Sequence, residues 1–156
     1  MPEASKGPKL PEKEVGDLFY LWNDALATLD PETVAARYAN GGVLLPTVSD
    51  TPRTDHESIL DYFTAFLQKK PQGEIVESFC TSGEGWCKDV GIYDFTMGSD
   101  GSQVRARYSF VYTYDADDKE WKIAHHHSSV MPEGMLAAAA AASEKKTTKS
   151  KGKIRA

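Results

Sequence analysis

Cysteine is scarce: the chain of 156 residues holds two, Cys80 and Cys87. Two thiols with no CxxC spacing cannot build a disulfide framework. Both are expected reduced, in or beside neighbouring strands, with a labile redox pair as the sharper alternative. Long apolar runs are missing as well, and none approaches the ~20 residues needed to cross a bilayer. The opening "MPEASKGPKLPEKE" lacks the cationic start and apolar stretch of a secretory signal. An organelle address is therefore expected to be trimmed or absent, which leaves plastid or cytoplasm. Internal repetition is limited to "MPE", which opens the chain and recurs at Met131-Pro132-Glu133. Chance accounts for three residues; one unit of a tandem array is the other reading.

Positive charge is scarce everywhere but at the end. Six of the 18 cations fall between Lys145 and Arg155, with Glu144 as their one acidic neighbour among 23, so the body stands near −10 and the tail near +5. So acidic a body excludes nucleic-acid binding through its surface. The basic tail is expected to be a solvated, disordered extension.

What is present suits one domain with a real core: 40% of residues are hydrophobic and 10% aromatic. In "VGDLFYLWNDALATLD", Val15, Leu18, Phe19, Trp22 and Leu26 recur at helical spacing, which predicts a helix of roughly four turns. Asp30 as N-cap and Pro31 at the first helical position start a second, short helix, "PETVAARYA". Gly41-Gly42 then leads into "VLLPTV", a strand broken near Pro46 or an edge strand, because proline cannot donate to a ladder. A third helix begins after Thr54 or Asp55, buries Ile59, Leu60, Phe63, Phe66 and Leu67, and closes at Pro71-Gln72-Gly73.

From there the period changes to two. "EIVESF", "GIYDFTM", "VRARYSFVYTY" and "WKIAHHHSSV" are rich in β-branched and aromatic residues. Asp100-Gly101 and Asp115–Lys119 read as hairpin turns. Helices followed by an antiparallel meander give an α+β fold with the sheet curled over the helices. "MLAAAAAA" after Pro132 is expected to form a short helix. The expected division is a flexible segment 1–12, a domain 13–133, and an Ala-rich then basic tail 134–156.

The chemistry concentrates in "WKIAHHHSSVMPE", residues 121–133. Side chains alternate along a strand, so His125 and His127 share one face, about 6.7 Å apart, and His126 points the other way. An H-x-H pair on a strand can bind zinc, with His56 as a conceivable third ligand, but no spacing marks a third ligand.

The order helix, helix, strand, helix, then a curved antiparallel sheet ending in W-x-I-x-H-x-H, resembles the nuclear-transport-factor-2-like cone fold. Within it the chain resembles the association domain of calcium/calmodulin-dependent protein kinase II. Three stretches sharpen the likeness: "LWNDALATLDPETVAARYA", "VLLPTVSDTPR" with "ILDYFTAFL", and "HHHSSVMPE". Together they are similar to the iota class of carbonic anhydrases, which share the association-domain fold. The likeness covers residues 14–133.

That resemblance implies a conical pocket in which carbon dioxide is reversibly hydrated to bicarbonate. The class includes members that act without metal, so no cofactor is expected, with zinc as the minority alternative. By motif match, His126 and Ser128 face the pocket, with Thr47 and Tyr62 opposite. A neutral imidazole of pKa near ~6.5 can accept a proton from water or orient it, and the three hydroxyls bind carbon dioxide and bicarbonate. Tyr108 is a further candidate substrate-binding residue, with Tyr112 beside it. Without the resemblance, His126 reads as a structural strand histidine, Thr47 as a bend cap and Tyr62 as a core-edge tyrosine. His125 and His127 are expected to be structural. Arg105 and Arg107 could hold an anion, but a salt-bridged strand face is the simpler expectation. Because the last strands are apolar or aromatic on both faces, a homodimer through the sheet is expected. The competing function is a non-catalytic association module of the kinase hub type; an isomerase or dehydratase is a third.

Overall fold

The computed structural model describes residues 7–133 and Ser143. Four helices and five strands follow in the order α1 (Glu12–Val15), α2 (Asp17–Ala27), α3 (Pro31–Ala35), β1 (Tyr38–Leu45), α4 (His56–Phe66), β2 (Pro71–Gly83), β3 (Trp86–Met97), β4 (Gln103–Asp115) and β5 (Glu120–Val130), with a 3₁₀ turn at Leu67–Lys69 between α4 and β2. The fold is α+β, as the residue pattern implies. Strand order is β1-β5-β4-β3-β2. Strands β2 to β5 form the antiparallel meander, while β1 adds to β5 in parallel, which makes the sheet mixed. The expected helix over "PETVAARYA" stops at Ala35, and Tyr38 already belongs to β1. Pro71, expected to close the third helix, instead opens β2. The long first helix is split at Gly16.

Local chemistry explains the boundaries that were legible. Asp30 accepts from the Glu32 amide and precedes a proline at the start of α3. Asp55 caps α4 in a capping box with Ser58. Residues 7–12, expected to be loose, are tied down: the Pro8 carbonyl accepts from Gly85 N, in the turn between β2 and β3, at 3.0 Å. The expected alanine-rich helix and basic tail lie outside the described residues. Among the described residues no helix is long and apolar enough to cross a membrane. Cys80 and Cys87 are both free thiols, on the paired strands β2 and β3.

The core is aromatic. Phe19 and Trp22 of α2 meet Tyr93, Phe95 and Phe110 of the sheet, and Phe63 of α4 meets Trp22, in ring pairs whose centroids lie 5.7–6.3 Å apart. Each such pair adds about 0.5–1.5 kcal/mol beyond its burial. Bulges bend the sheet around this core: Val76 is extra in β2, and Ala124 is extra in β5.

At the β2 bulge the Glu77 carbonyl drops onto Gly91. A methyl there would stand 1.9 Å from that oxygen, closer than any real contact, so the strand or the bulge must move. Gly91→Ala should therefore destabilise the fold by roughly 2–3 kcal/mol in urea titration. Gly101→Ala, which has positive φ but open space around it, should cost about 1 kcal/mol. Equal losses for the two variants would contradict this account of the bulge.

Candidate functional site

The Ala124 bulge decides which histidine faces inward. Ile123 is buried against the core, and strict alternation from it would turn His125 and His127 inward. One extra residue resets the count, so Ile123, His126 and Ser128 all face the interior. His126 is 3% exposed. Its ring stacks on Phe110 at 4.0 Å and meets the edge of Trp22 at 5.1 Å. Nδ1 lies 3.0 Å from the Tyr38 hydroxyl and Nε2 3.2 Å from that of Tyr93. Burial, helped by His125 and His127, lowers the His126 pKa to about 3.

His126 and Ser128 border a cavity of about 160 Å³. Thr47 reaches it from the turn after β1, where paired hydrogen bonds between Leu44 and Arg53 close the loop. Its hydroxyl donates to Ser128 Oγ. Tyr62 enters from α4, stacked on Phe66 at 5.5 Å; desolvation raises its pKa to about 12. Trp22, Phe63, Phe95 and Val104 supply apolar wall, and Lys69 is the lining side chain that carries a charge. The structure thus brings His126, Ser128, Thr47 and Tyr62 to one cavity.

Two expectations change. His126 was expected to be able to accept a proton from water, but both of its nitrogens are engaged by phenols, and a base with a pKa of about 3 has little drive to take one. Tyr108 was expected to help bind substrate, but it does not line the main cavity. Its hydroxyl lies 2.9 Å from Asp89 Oδ1, and that buried carboxylate captures it; a longer contact of 3.3 Å runs to the Glu77 carbonyl. Tyr112 is also buried away from the cavity.

The remaining candidates lie elsewhere. His125 and His127 are on the outer face; His125 is bonded to Ser109 at 3.1 Å, and His127 lines a shallow groove with Arg107 and Ser129. His56 is exposed and pairs with Glu32. Among the described residues no three His, Cys, Asp or Glu side chains gather as a metal ligand set. Arg105 pairs with Asp94 at 2.8 Å on the exposed face. Sequence reasoning missed Tyr38 and Tyr93. The alternation of Gly91, Tyr93 and Phe95 signals the second; nothing marked the first, which reads as helical.

The architecture is that of the nuclear-transport-factor-2-like, or cystatin-like, class. It is matched by a Streptomyces avermitilis protein provisionally named a dehydratase of that family (12% identity, TM-score 0.67, covering 77% of this chain and 95% of that one). A Parabacteroides distasonis protein provisionally named a ketosteroid isomerase matches at 13% identity and TM-score 0.62, over 85% and 94%. At such identities only the fold is shared. A Xanthomonas campestris protein provisionally named a calcium/calmodulin dependent protein kinase II association domain is much nearer, with 43% identity and TM-score 0.73 over 85% of this chain and 99% of that one. The family model for the calcium/calmodulin dependent protein kinase II association domain matches residues 11–132. The chain belongs to that family. No curated protein matches it in sequence.

Burial of neutral His126 makes stability depend on pH. Between 6.5 and about 3 the unfolded chain binds a proton at this residue that the native state does not, so stability falls as pH falls through that window. Lowering pH from 6.5 to 4.5 should cost the native protein about 2–3 kcal/mol more than it costs a folded His126→Gln variant. Parallel urea-stability profiles for the two would contradict the burial of a neutral imidazole.

Proposed function

We propose that this chain is an enzyme whose cavity reversibly hydrates carbon dioxide to bicarbonate without a metal ion. One observation carries the reading: the hydroxyls of Thr47, Ser128 and Tyr62 converge in a largely apolar cavity of about 160 Å³. That volume suits a triatomic molecule and a few waters at ~30 Å³ each. It falls below the ~300–1,000 Å³ of pockets for drug-sized ligands, which disfavours the larger substrates of isomerases and dehydratases. The two histidines able to pair as metal ligands, His125 and His127, lie across the sheet from it.

In the proposed reaction a water oxygen bonds to the carbon while one C=O electron pair moves onto oxygen. Ser128 and Tyr62 donate to the oxygens on which charge develops, a stabilisation worth most in a site that excludes water, while Thr47, whose hydroxyl donates to Ser128, holds Ser128 in place. The proton of the attacking water passes to a further water and leaves through the mouth beside Lys69. His126 fixes the phenols of Tyr38 and Tyr93; it does not take the proton.

A second reading is a non-catalytic association module, and family membership favours it. The outer face of the sheet suits assembly: Val90, Ile92 and Val111 lie there half-buried, flanked by Phe79 at 63% and Trp86 at 42% exposure. The two readings are compatible, since a homodimer through this face leaves the cavity untouched.

Stopped-flow hydration assays with and without chelator, paired with light scattering, separate them. Hydration above the buffer rate should survive chelation. Ser128→Ala and Tyr62→Phe should each lose on the order of tenfold, the worth of about 1.4 kcal/mol in the transition state, while His125→Ala and His127→Ala keep the rate. A dimer with no hydration leaves the association module alone standing. Activity lost on chelation and restored by zinc overturns the metal-free reading.

A further inference from the structure

Asp89 of β3 sits between two rungs of hydroxyls, and its carboxylate bonds to only one of them. Its direct partners are Cys80 on β2 and Phe110 on β4. On the same face, two residues along β3 in one direction, Gly91 is paired with Ser78 and Tyr108. Two residues the other way, Cys87 is paired with Ser82 and Tyr112. Each of these serines and tyrosines is a diagonal neighbour of Asp89, a separation that long side chains can span. On the Gly91 rung the contacts are made: Ser78 donates to Asp89 Oδ1 at 2.6 Å and Tyr108 at 2.9 Å.

On the Cys87 rung they are not. Asp89 is fully buried, Tyr112 is 1% exposed and Ser82 is 9% exposed. Yet Asp89 Oδ2, the Tyr112 hydroxyl and the Ser82 hydroxyl have no hydrogen-bond partner among the described residues. A buried polar atom is costly to leave unpaired, and here three share one corner of the sheet. Burial, then the charge of Asp89, raises the Tyr112 phenol well above its usual range, so Tyr112 keeps a hydrogen to donate. The corner thus presents one carboxylate acceptor and two hydroxyl donors.

Two occupants compete for it. Among the described residues no Lys, Arg or His pairs with Asp89, so a monovalent cation is one. A cation would meet Oδ2 but leave the hydrogens of Tyr112 and Ser82 without an acceptor. Water serves all three groups, since it donates to Oδ2 and accepts from both hydroxyls. Three hydrogen bonds are usual for an internal water.

We infer that one buried water bridges Asp89 Oδ2, Tyr112 and Ser82, between β2, β3 and β4. This hydration site is separate from the inner cavity, which none of the three residues lines. It stands whether or not the protein hydrates carbon dioxide.

The test joins a high-resolution crystal structure of the full chain, before and after a rubidium chloride soak, with urea unfolding of Tyr112→Phe. Water density should lie within hydrogen-bond distance of Asp89 Oδ2 and the Tyr112 hydroxyl, and rubidium should give no anomalous peak there. Tyr112→Phe keeps the ring and deletes one bond to the water, so its folding constant should fall about fivefold. Deleting an unpartnered hydroxyl would have the opposite sign, because it relieves a buried orphan donor. Missing density, a rubidium peak, or a Tyr112→Phe variant as stable as the native protein would each overturn the inference. Where the variant fails to fold, the density in the native protein decides.

Discussion

An imidazole buried between two phenols and clamped against Phe110 sets the rest of this site. Leaving His126 without partners would cost several kcal/mol, so the fold must deliver Tyr38 from β1 and Tyr93 from β3 to its two nitrogens. These strands lie at separate places in the sheet, with β5 between β1 and β4, and the rings of Trp22 and Phe110 complete the enclosure. Once that arrangement is made, Ser128 two residues along faces the same interior. Thr47 reaches it from the loop pinned by Leu44 and Arg53. A core histidine and a cavity hydroxyl are thus parts of one packing solution.

Much of the fold could be read from the chain because its signals are local. Asp30-Pro31, the Asp55 cap and the period-two runs each carry their own physics, and all mark real elements. What escaped is long-range. The parallel pairing of β1 with β5 joins segments some eighty residues apart. Tyr38 follows a helix-like run and becomes strand only because β5 is there to pair with it. The β2–β3 turn at Glu84-Gly85 sits inside longer strands than their hydrophobic cores suggest.

The site was half legible for the same reason. Residue types and motif placed His126, Ser128, Thr47 and Tyr62 together, yet alternation counted from Ile123 would have turned the wrong histidines inward. A single bulged residue, Ala124, reverses that count, and no pattern along β5 announces it. Tyr108 misled in the opposite way. It does face inward, but the buried Asp89 on the neighbouring strand claims its hydroxyl.

Membership of the association-domain family accounts for the cone and for an apolar outer face; the inner cavity requires a separate explanation. Buried polar groups cost stability unless partnered, and a pure scaffold has no need of hydroxyls gathered around an inner cavity. The proposed bicarbonate ligand supplies that need. The most direct measurement is a crystal structure of the protein soaked in bicarbonate. Bicarbonate in the inner cavity, with oxygens within hydrogen-bond distance of Ser128, Thr47 and Tyr62, is the expected result. An unoccupied cavity, with the anion bound instead in the outer groove at His127 and Arg107, would contradict it.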